Sequence, residues 1–286
     1  MKIIVGKTAG FCYGVKKAVL ATNKILQENK SAYCIGEIVH NGEVIKELSK
    51  KGLKIIDNIE EAKEKIIIRA HGIPKETYNK AKQLNIEVCD YTCPNVLKIH
   101  KLAEEYEQKG YYIFLIGIKT HPETIGTISF CGYNSYIIEK DEDISEAISK
   151  LKQTNINKVL VLVQTTFSIE KFNKYIEIIK EKLRDNSIKI DVKNTICNAT
   201  KIRQEETEEI SKNVECMIII GGKNSSNTKK LYDISKEICK HTIIIENKDE
   251  LNIDIIKKFN RIGIMAGAST PAKSINELIE KINNET

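Results

Sequence analysis

Cys12, Cys93 and Cys197 each stand at the head of a repeated pattern, and that pattern carries the chemistry of the chain. Gly36 and His40 follow Cys12 by 24 and 28 residues; Gly117 and His121 follow Cys93, and Gly221 and Ser225 follow Cys197, at the same two offsets. The surrounding text agrees, because CIGEIVH, LIGIKTH and IIGGKNS each read as apolar residues, a glycine, a short link, then His or Ser. A third mark closes each copy: His71 in IIIRAHGIP, Thr165 in LVLVQTTFS and Ser269 in GIMAGASTP. The last two lie 44 residues beyond His121 and Ser225, the first only 31 beyond His40. A single cysteine is most often a small core hydrophobe. Three at one register, each at a strand-to-helix turn, read instead as ligands. Three thiolates without a fourth suit zinc with an open position or a 4Fe–4S cluster with three irons held by protein and one left for substrate. Spacing leaves both open. Cys34, Cys89, Cys131, Cys216 and Cys239 show no such repetition and read as structural.

The other marks, His40, His71, His121, Thr165, Ser225 and Ser269, joined by Ser226 and Asn227, form a polar donor set. Several fall at predicted helix starts, where unpaired backbone N–H groups and the helix dipole favour anions, so the set suits a phosphate or diphosphate. A histidine at a helix start is commonly a cap, but three of the five histidines share this register. His100 and His241 lie off it and read as structural. Glu123, two residues after His121, could merely complement a helix dipole; among so many donors it is also the natural proton source.

These residues need a scaffold that delivers them to one edge. The sequence predicts strands alternating with helices throughout, hence an α/β fold with parallel sheets, in which ligands sit beyond the carboxyl ends of strands. Val15, Ala18, Val19, Thr22, Ile25 and Leu26 share a helical face, Asn41 is a candidate cap, and Val159–Val163 is too uniformly apolar for an edge strand. Ile202 and Ile210 are expected to mark a polar helix after Cys197. Three units are expected, at residues 1–85, 86–187 and 188–286, each about the size of a small domain. If a pseudo-threefold axis relates them, the cysteines converge on it.

The 286 residues are 41% hydrophobic and 29% charged, an ordinary globular composition. The net charge of +6 is spread as Lys mixed with Glu, with no basic block, so no nucleic-acid partner is expected. The apolar run Ile3–Val5 is too short for a signal peptide, and no later run approaches the ~20 residues of a membrane span. A cytoplasmic, membrane-free protein with reduced thiols is the expectation.

The motifs GFCYGV, GEIVHN, RAHG, DYTCPNV, KTHPE, QTT, ICNATKIRQ, SSNT and GAST, in this order along essentially the whole chain, resemble the 4-hydroxy-3-methylbut-2-enyl diphosphate reductase family. The resemblance implies a trefoil of three α/β units around a 4Fe–4S cluster held by Cys12, Cys93 and Cys197. It implies diphosphate binding by His40, His71, His121, Ser225, Ser226, Asn227 and Ser269, with Glu123 as proton donor and Thr165 beside it at the substrate hydroxyl. It also implies an electron donor such as ferredoxin or flavodoxin. Lys119-Thr120 depart from the family, where Gly is common, and should alter only the turn. A quinolinate synthase-like dehydratase resembles the same plan, but SSNT and GAST argue against it. A zinc or iron–sulfur sensor would not require the Ser, Thr, Asn and Glu set.

Overall fold

The computed structural model describes residues 1–29, 31–63, 65–184 and 187–285. In chain order the elements are β1 (Lys2–Val5), α1 (Tyr13–Asn29), β2 (Ala32–Ile35), α2 (Gly42–Lys50), β3 (Leu53–Ile56), β4 (Lys65–Ile68), α3 (Lys75–Gln83) and β5 (Glu87–Asp90). There follow α4 (Pro94–Gln108), β6 (Tyr112–Ile116), α5 (Pro122–Ile128), β7 (Ser135–Ile138), α6 (Asp141–Lys152), β8 (Lys158–Val163), α7 (Ile169–Leu183) and β9 (Lys189–Val192). The chain closes with α8 (Asn198–Lys212), β10 (Cys216–Ile220), α9 (Ser226–Ile238), β11 (His241–Ile245), α10 (Ile253–Ile256), β12 (Arg261–Ala266) and α11 (Ala272–Glu285). No helix among the described residues is long and apolar enough to cross a membrane.

Two compact units result, one of Met1–Leu20, Val39–Lys51 and Asn198–Thr286, the other of Ala21–Ile38 and Gly52–Cys197. The first holds one four-stranded sheet, ordered β1-β12-β10-β11; the second holds two, ordered β3-β2-β4-β5 and β7-β6-β8-β9. Their strand pairings are parallel. Parallel pairing demands a crossover between strands, which the intervening helices supply.

Both faces of the β6–β9 sheet are covered, which explains its unbroken apolar text. Val159, Val161 and Val163 of β8 join the cluster with Phe114 and residues of α6 and α7. The alternate residues Leu160 and Leu162 join Ile99 and Ala103 of α4 on the opposite face. Each such side chain contributes roughly 1.5–3 kcal/mol relative to exposure, so β8 takes a central position, as its sequence predicts. The same alternation organises the β10–β12 sheet: Ile218 and Ile264 pack with Leu278 of α11, Ile219 and Met265 with Leu231 of α9.

The strand pairings cross the bounds of the expected units. The strands heading the segments 86–187 and 188–286 do not pair inside them: β5 pairs with β4, and β9 with β8. Likewise β1 joins the last sheet, against β12. The helix before each of β5 and β9 returns the chain beside the strand it has just left, so every sheet is one strand out of phase with the sequence repeat. The polar helix expected through Ile202 and Ile210 is α8; Ile202 is 43% exposed, and the buried face is Thr200, Arg203, Gln204, Thr207, Ile210 and Ser211. A polar face can be buried because its groups are paired: Thr207 donates to the Arg203 carbonyl (2.7 Å), and Ser211 to that of Thr207 (2.7 Å). The α1 face holds as read, with all six of its positions buried.

Candidate functional site

Each mark lies just beyond the carboxyl end of a parallel strand. Gly36, Gly117 and Gly221 immediately follow β2, β6 and β10; His71, Thr165 and Ser269 follow β4, β8 and β12; the cysteines follow β1, β5 and β9. In each sheet the strands leading to the +28 residue and the third mark are the two central ones, while the cysteine strand is at an edge. The chain order of each sheet reverses between those central strands, and such a switch point is where an open α/β sheet leaves a crevice for ligand.

The cysteine turns are pinned identically. Cys93 donates its N–H to the Ala70 carbonyl (3.0 Å), Cys197 to that of Thr165 (3.1 Å) and Cys12 to that of Ala268 (3.1 Å). These bonds correct the register of the third mark. Ala70 and Ala268 precede His71 and Ser269, so the counterpart of those residues is Thr166, and Thr165 matches the alanines. Strand pairing agrees: Ile116 opposes Val163 as Ile220 opposes Ala266. The shared 44-residue spacing does not mark equivalence, because the intervening segments differ in length. Thr166 was missed for that reason; its hydroxyl accepts from Gln164 Nε2 at 2.9 Å.

In the larger unit, His121 is the N-cap of α5, its Nδ1 accepting from the Glu123 N–H at 3.1 Å. A ring nitrogen that accepts is unprotonated, so the neutral imidazole carries its proton on Nε2, as a donor. The His71 ring meets it edge-on, with centroids 5.4 Å apart. Lys119 at the departing KT sequence turns to Asp143 (2.7 Å), and His121 keeps its capping place. Glu123 is only 2% exposed. Its Oε1 accepts the Thr165 N–H at 2.6 Å, and its Oε2 the Thr165 hydroxyl at 2.7 Å. Burial pushes its pKa up to about 7, against the opposing pull of the two Thr165 hydrogen bonds. A surface glutamate complementing a dipole would have none of these features.

In the smaller unit, Ser225 is the N-cap of α9, accepting from the Thr228 N–H at 3.3 Å, and Ser226 and Asn227 form the first turn. Asn227 is buried, and its Nδ2 has no hydrogen-bond partner. An orphaned buried amide costs stability, so its retention points to a ligand acceptor. Ser269 donates to the His40 carbonyl at 2.9 Å. A Cβ on Gly222 would fall 2.5 Å from that carbonyl, so only glycine permits the approach. Asn41, as its sequence predicts, caps α2 by accepting from the Val44 N–H (3.1 Å).

The cysteines divide by environment. Cys12, Cys93 and Cys197 are partly exposed, whereas Cys34, Cys131, Cys216 and Cys239 are buried. Burial pushes the thiols of Cys34, Cys131 and Cys216 up to about 12, which keeps them from ionising. Cys89 is partly exposed as well, but its thiol is also raised by burial. Three half-exposed thiols on pinned turns are a donor set that fits a soft metal centre with three protein ligands.

Known proteins are similar to this chain over nearly its whole length. A 4-hydroxy-3-methylbut-2-enyl diphosphate reductase of Thermoanaerobacter sp. (strain X514) is 39% identical over 288 residues, 99% of this chain and 96% of its own. Its namesake in Clostridioides difficile (strain 630) is 39% identical, over 99% of this chain and all of its own. A solved (E)-4-hydroxy-3-methyl-but-2-enyl diphosphate reductase, the terminal enzyme of the non-mevalonate pathway, matches 99% of this chain at 37% identity with a TM-score of 0.71. The E-1-hydroxy-2-methyl-but-2-enyl-4-diphosphate reductase of Plasmodium falciparum matches 99% of this chain and 88% of its own at 28% identity, with a TM-score of 0.90. Since the LytB protein family model also spans residues 3–283, the chain with these cysteine turns and this buried acid belongs to the LytB protein family.

Proposed function

We propose that the chain is a 4-hydroxy-3-methylbut-2-enyl diphosphate reductase acting at the terminal step of the non-mevalonate isoprenoid pathway. The substrate loses its allylic hydroxyl; two electrons and two protons enter, and isopentenyl or dimethylallyl diphosphate and water leave. Cys12, Cys93 and Cys197 would hold a 4Fe–4S cluster. When bound, that cluster supplies Lewis acidity at its open iron and a route for electrons. The electrons come from a small redox protein such as ferredoxin or flavodoxin.

The chain's own residues do the rest. Ser225, Ser226 and Asn227 offer side-chain donors together with the N-terminus of α9, and His40, His71, His121, Thr166 and Ser269 add others, to hold the diphosphate as a remote handle. The carboxyl of Glu123 carries the proton for the departing hydroxyl, and Thr165, whose hydroxyl can both donate and accept, orients it. The observation that carries this reading is the grip of Thr165 on a fully buried Glu123 with a pKa of about 7. An acid so tuned is half protonated near neutrality, which suits proton delivery and not a dipole complement.

The test is anaerobic reconstitution with iron and sulfide, metal analysis, and a reductive assay on the hydroxylated C5 diphosphate. Iron, sulfide and two C5 diphosphate products support the reading; zinc in place of iron, or no product, overturns it.

A further inference from the structure

We propose that Arg203 and Glu206, both on α8, are positioning residues that clasp the loop bearing Cys12 and fix that thiol for its metal centre. The proposal deepens the cluster reading above and rests on it. The loop between β1 and α1 has little structure of its own. Ala9 donates to the Gly6 carbonyl (3.1 Å) to make a turn, and Cys12 donates to Ala268 (3.1 Å) at its far end. Gly10, with φ at +107, adopts backbone that other residues rarely enter, and its carbonyl points to the Arg203 guanidinium.

The α8 side chains supply what the loop lacks. Arg203 is 3% exposed and spends its guanidinium on main-chain oxygens: Nε and Nη2 donate to the Thr8 carbonyl (3.0 and 2.6 Å), and Nη2 also to that of Gly10 (2.8 Å). One turn on, Glu206 takes the complementary groups. Its Oε1 accepts the Lys7 N–H (2.6 Å), and its Oε2 accepts the Thr8 N–H (2.9 Å) and the Thr8 hydroxyl. Donors and acceptors of consecutive residues are thus held from one helix by two oppositely charged side chains. Charge-assisted bonds are the strong kind, and a guanidinium presents its donors in a rigid planar fork that fixes both carbonyls in one geometry, which a flexible ammonium does not. Burial opposes the Glu206 charge, yet the Thr8 and Lys7 bonds outweigh it and hold its pKa below the usual carboxylate range. Both grips are therefore fully charged at neutral pH. The loop ends at Cys12, whose carbonyl starts α1 by accepting from Lys16 (2.9 Å), so a displaced Thr8–Gly10 segment moves the thiol. This also accounts for the Arg203 of ICNATKIRQ, which faces inward on the polar helix α8.

Per-cysteine alkylation of the metal-free protein, read by mass spectrometry, separates positioning from bulk stability. Arg203→Met should speed Cys12 alkylation by about tenfold, the scale of losing a charged hydrogen bond from a local opening, and leave Cys93 and Cys197 unchanged. Arg203→Lys should recover part of the wild-type rate, and Glu206→Gln should give a smaller acceleration at Cys12 alone. Anaerobic reconstitution should then leave Arg203→Met short of iron and sulfide relative to wild type. Should Arg203→Met not fold, Arg203→Lys and Glu206→Gln carry the same comparison. Unchanged Cys12 rates in the folded variants, or equal acceleration at all three cysteines, overturns the clasp. A wild-type protein that takes up no iron and sulfide overturns the cluster reading instead, and the alkylation rates still judge the clasp.

Discussion

Thr165 holds both carboxylate oxygens of Glu123, through its N–H at 2.6 Å and its hydroxyl at 2.7 Å, across 42 residues of sequence. The pair ties the start of α5 to the loop after β8, the two arms of one sheet's switch point. Desolvation and hydrogen bonding oppose each other at this carboxyl, and desolvation wins. The site therefore owns an acid able to give up a proton near neutral pH.

Glu123→Gln keeps shape and hydrogen bonding but not the proton. General acid catalysis is worth about 10²–10⁴-fold, and turnover should fall on that scale with metal content and substrate affinity preserved. The wild-type kcat/KM should decline above about pH 7, where Glu123 loses its proton, and the variant should lack that limb. Near-normal turnover in the variant removes Glu123 from the mechanism.

The same carboxyl links stability to pH. Its folded pKa lies above its unfolded value, so between 4.5 and about 7 the folded state keeps a proton that the unfolded chain releases. Stability from this group is present below that window and lost as pH rises through it, by about 3 kcal/mol at 1.36 kcal/mol per unit. Urea midpoints at pH 5 and pH 8 measure the drop, and Glu123→Gln should shrink it. An equal drop in both proteins contradicts the burial argument.

Asn227→Leu separates binding from folding. The amide Nδ2 is buried without a partner, so an apolar side chain of similar shape should leave the metal-free protein as stable or more so. Diphosphate affinity should fall by about 1.5–3 kcal/mol, the worth of one hydrogen bond to a charged oxygen. Calorimetric titration with inorganic diphosphate and a thermal melt read the two effects; unchanged affinity places the anion elsewhere.

Cys12→Ser, Cys93→Ser and Cys197→Ser should each cost iron and sulfide, whereas Cys34→Ala should cost only stability, because its side chain is wholly buried. Iron and sulfide analysis after anaerobic reconstitution decides the point. Full content in Cys93→Ser would contradict the ligand set.

Much of this was legible because a parallel α/β chain is forced to place its loops periodically. Cys12, Cys93 and Cys197 repeat at one offset from Gly36, Gly117 and Gly221 because each glycine ends an equivalent strand. What spacing could not give was pairing. The identity of the strand that β5 or β9 joins depends on hydrogen bonds across the sheet, and the phase of Thr165 against Thr166 on loop lengths that vary between copies. Nor could sequence separate a buried Glu123 from a surface one, since both follow a Pro in a first helical turn. Arg203 was hidden by the rule that buried helix faces are apolar, which fails where a guanidinium has carbonyls to meet.

The most direct measurement is product analysis of the anaerobically reconstituted chain with a strong reductant and 4-hydroxy-3-methylbut-2-enyl diphosphate. The account predicts loss of the hydroxyl and release of isopentenyl and dimethylallyl diphosphates, with roughly 10²–10⁴-fold slower release from Glu123→Gln at equal iron content. Unreacted substrate beside a fully loaded wild-type protein would contradict it.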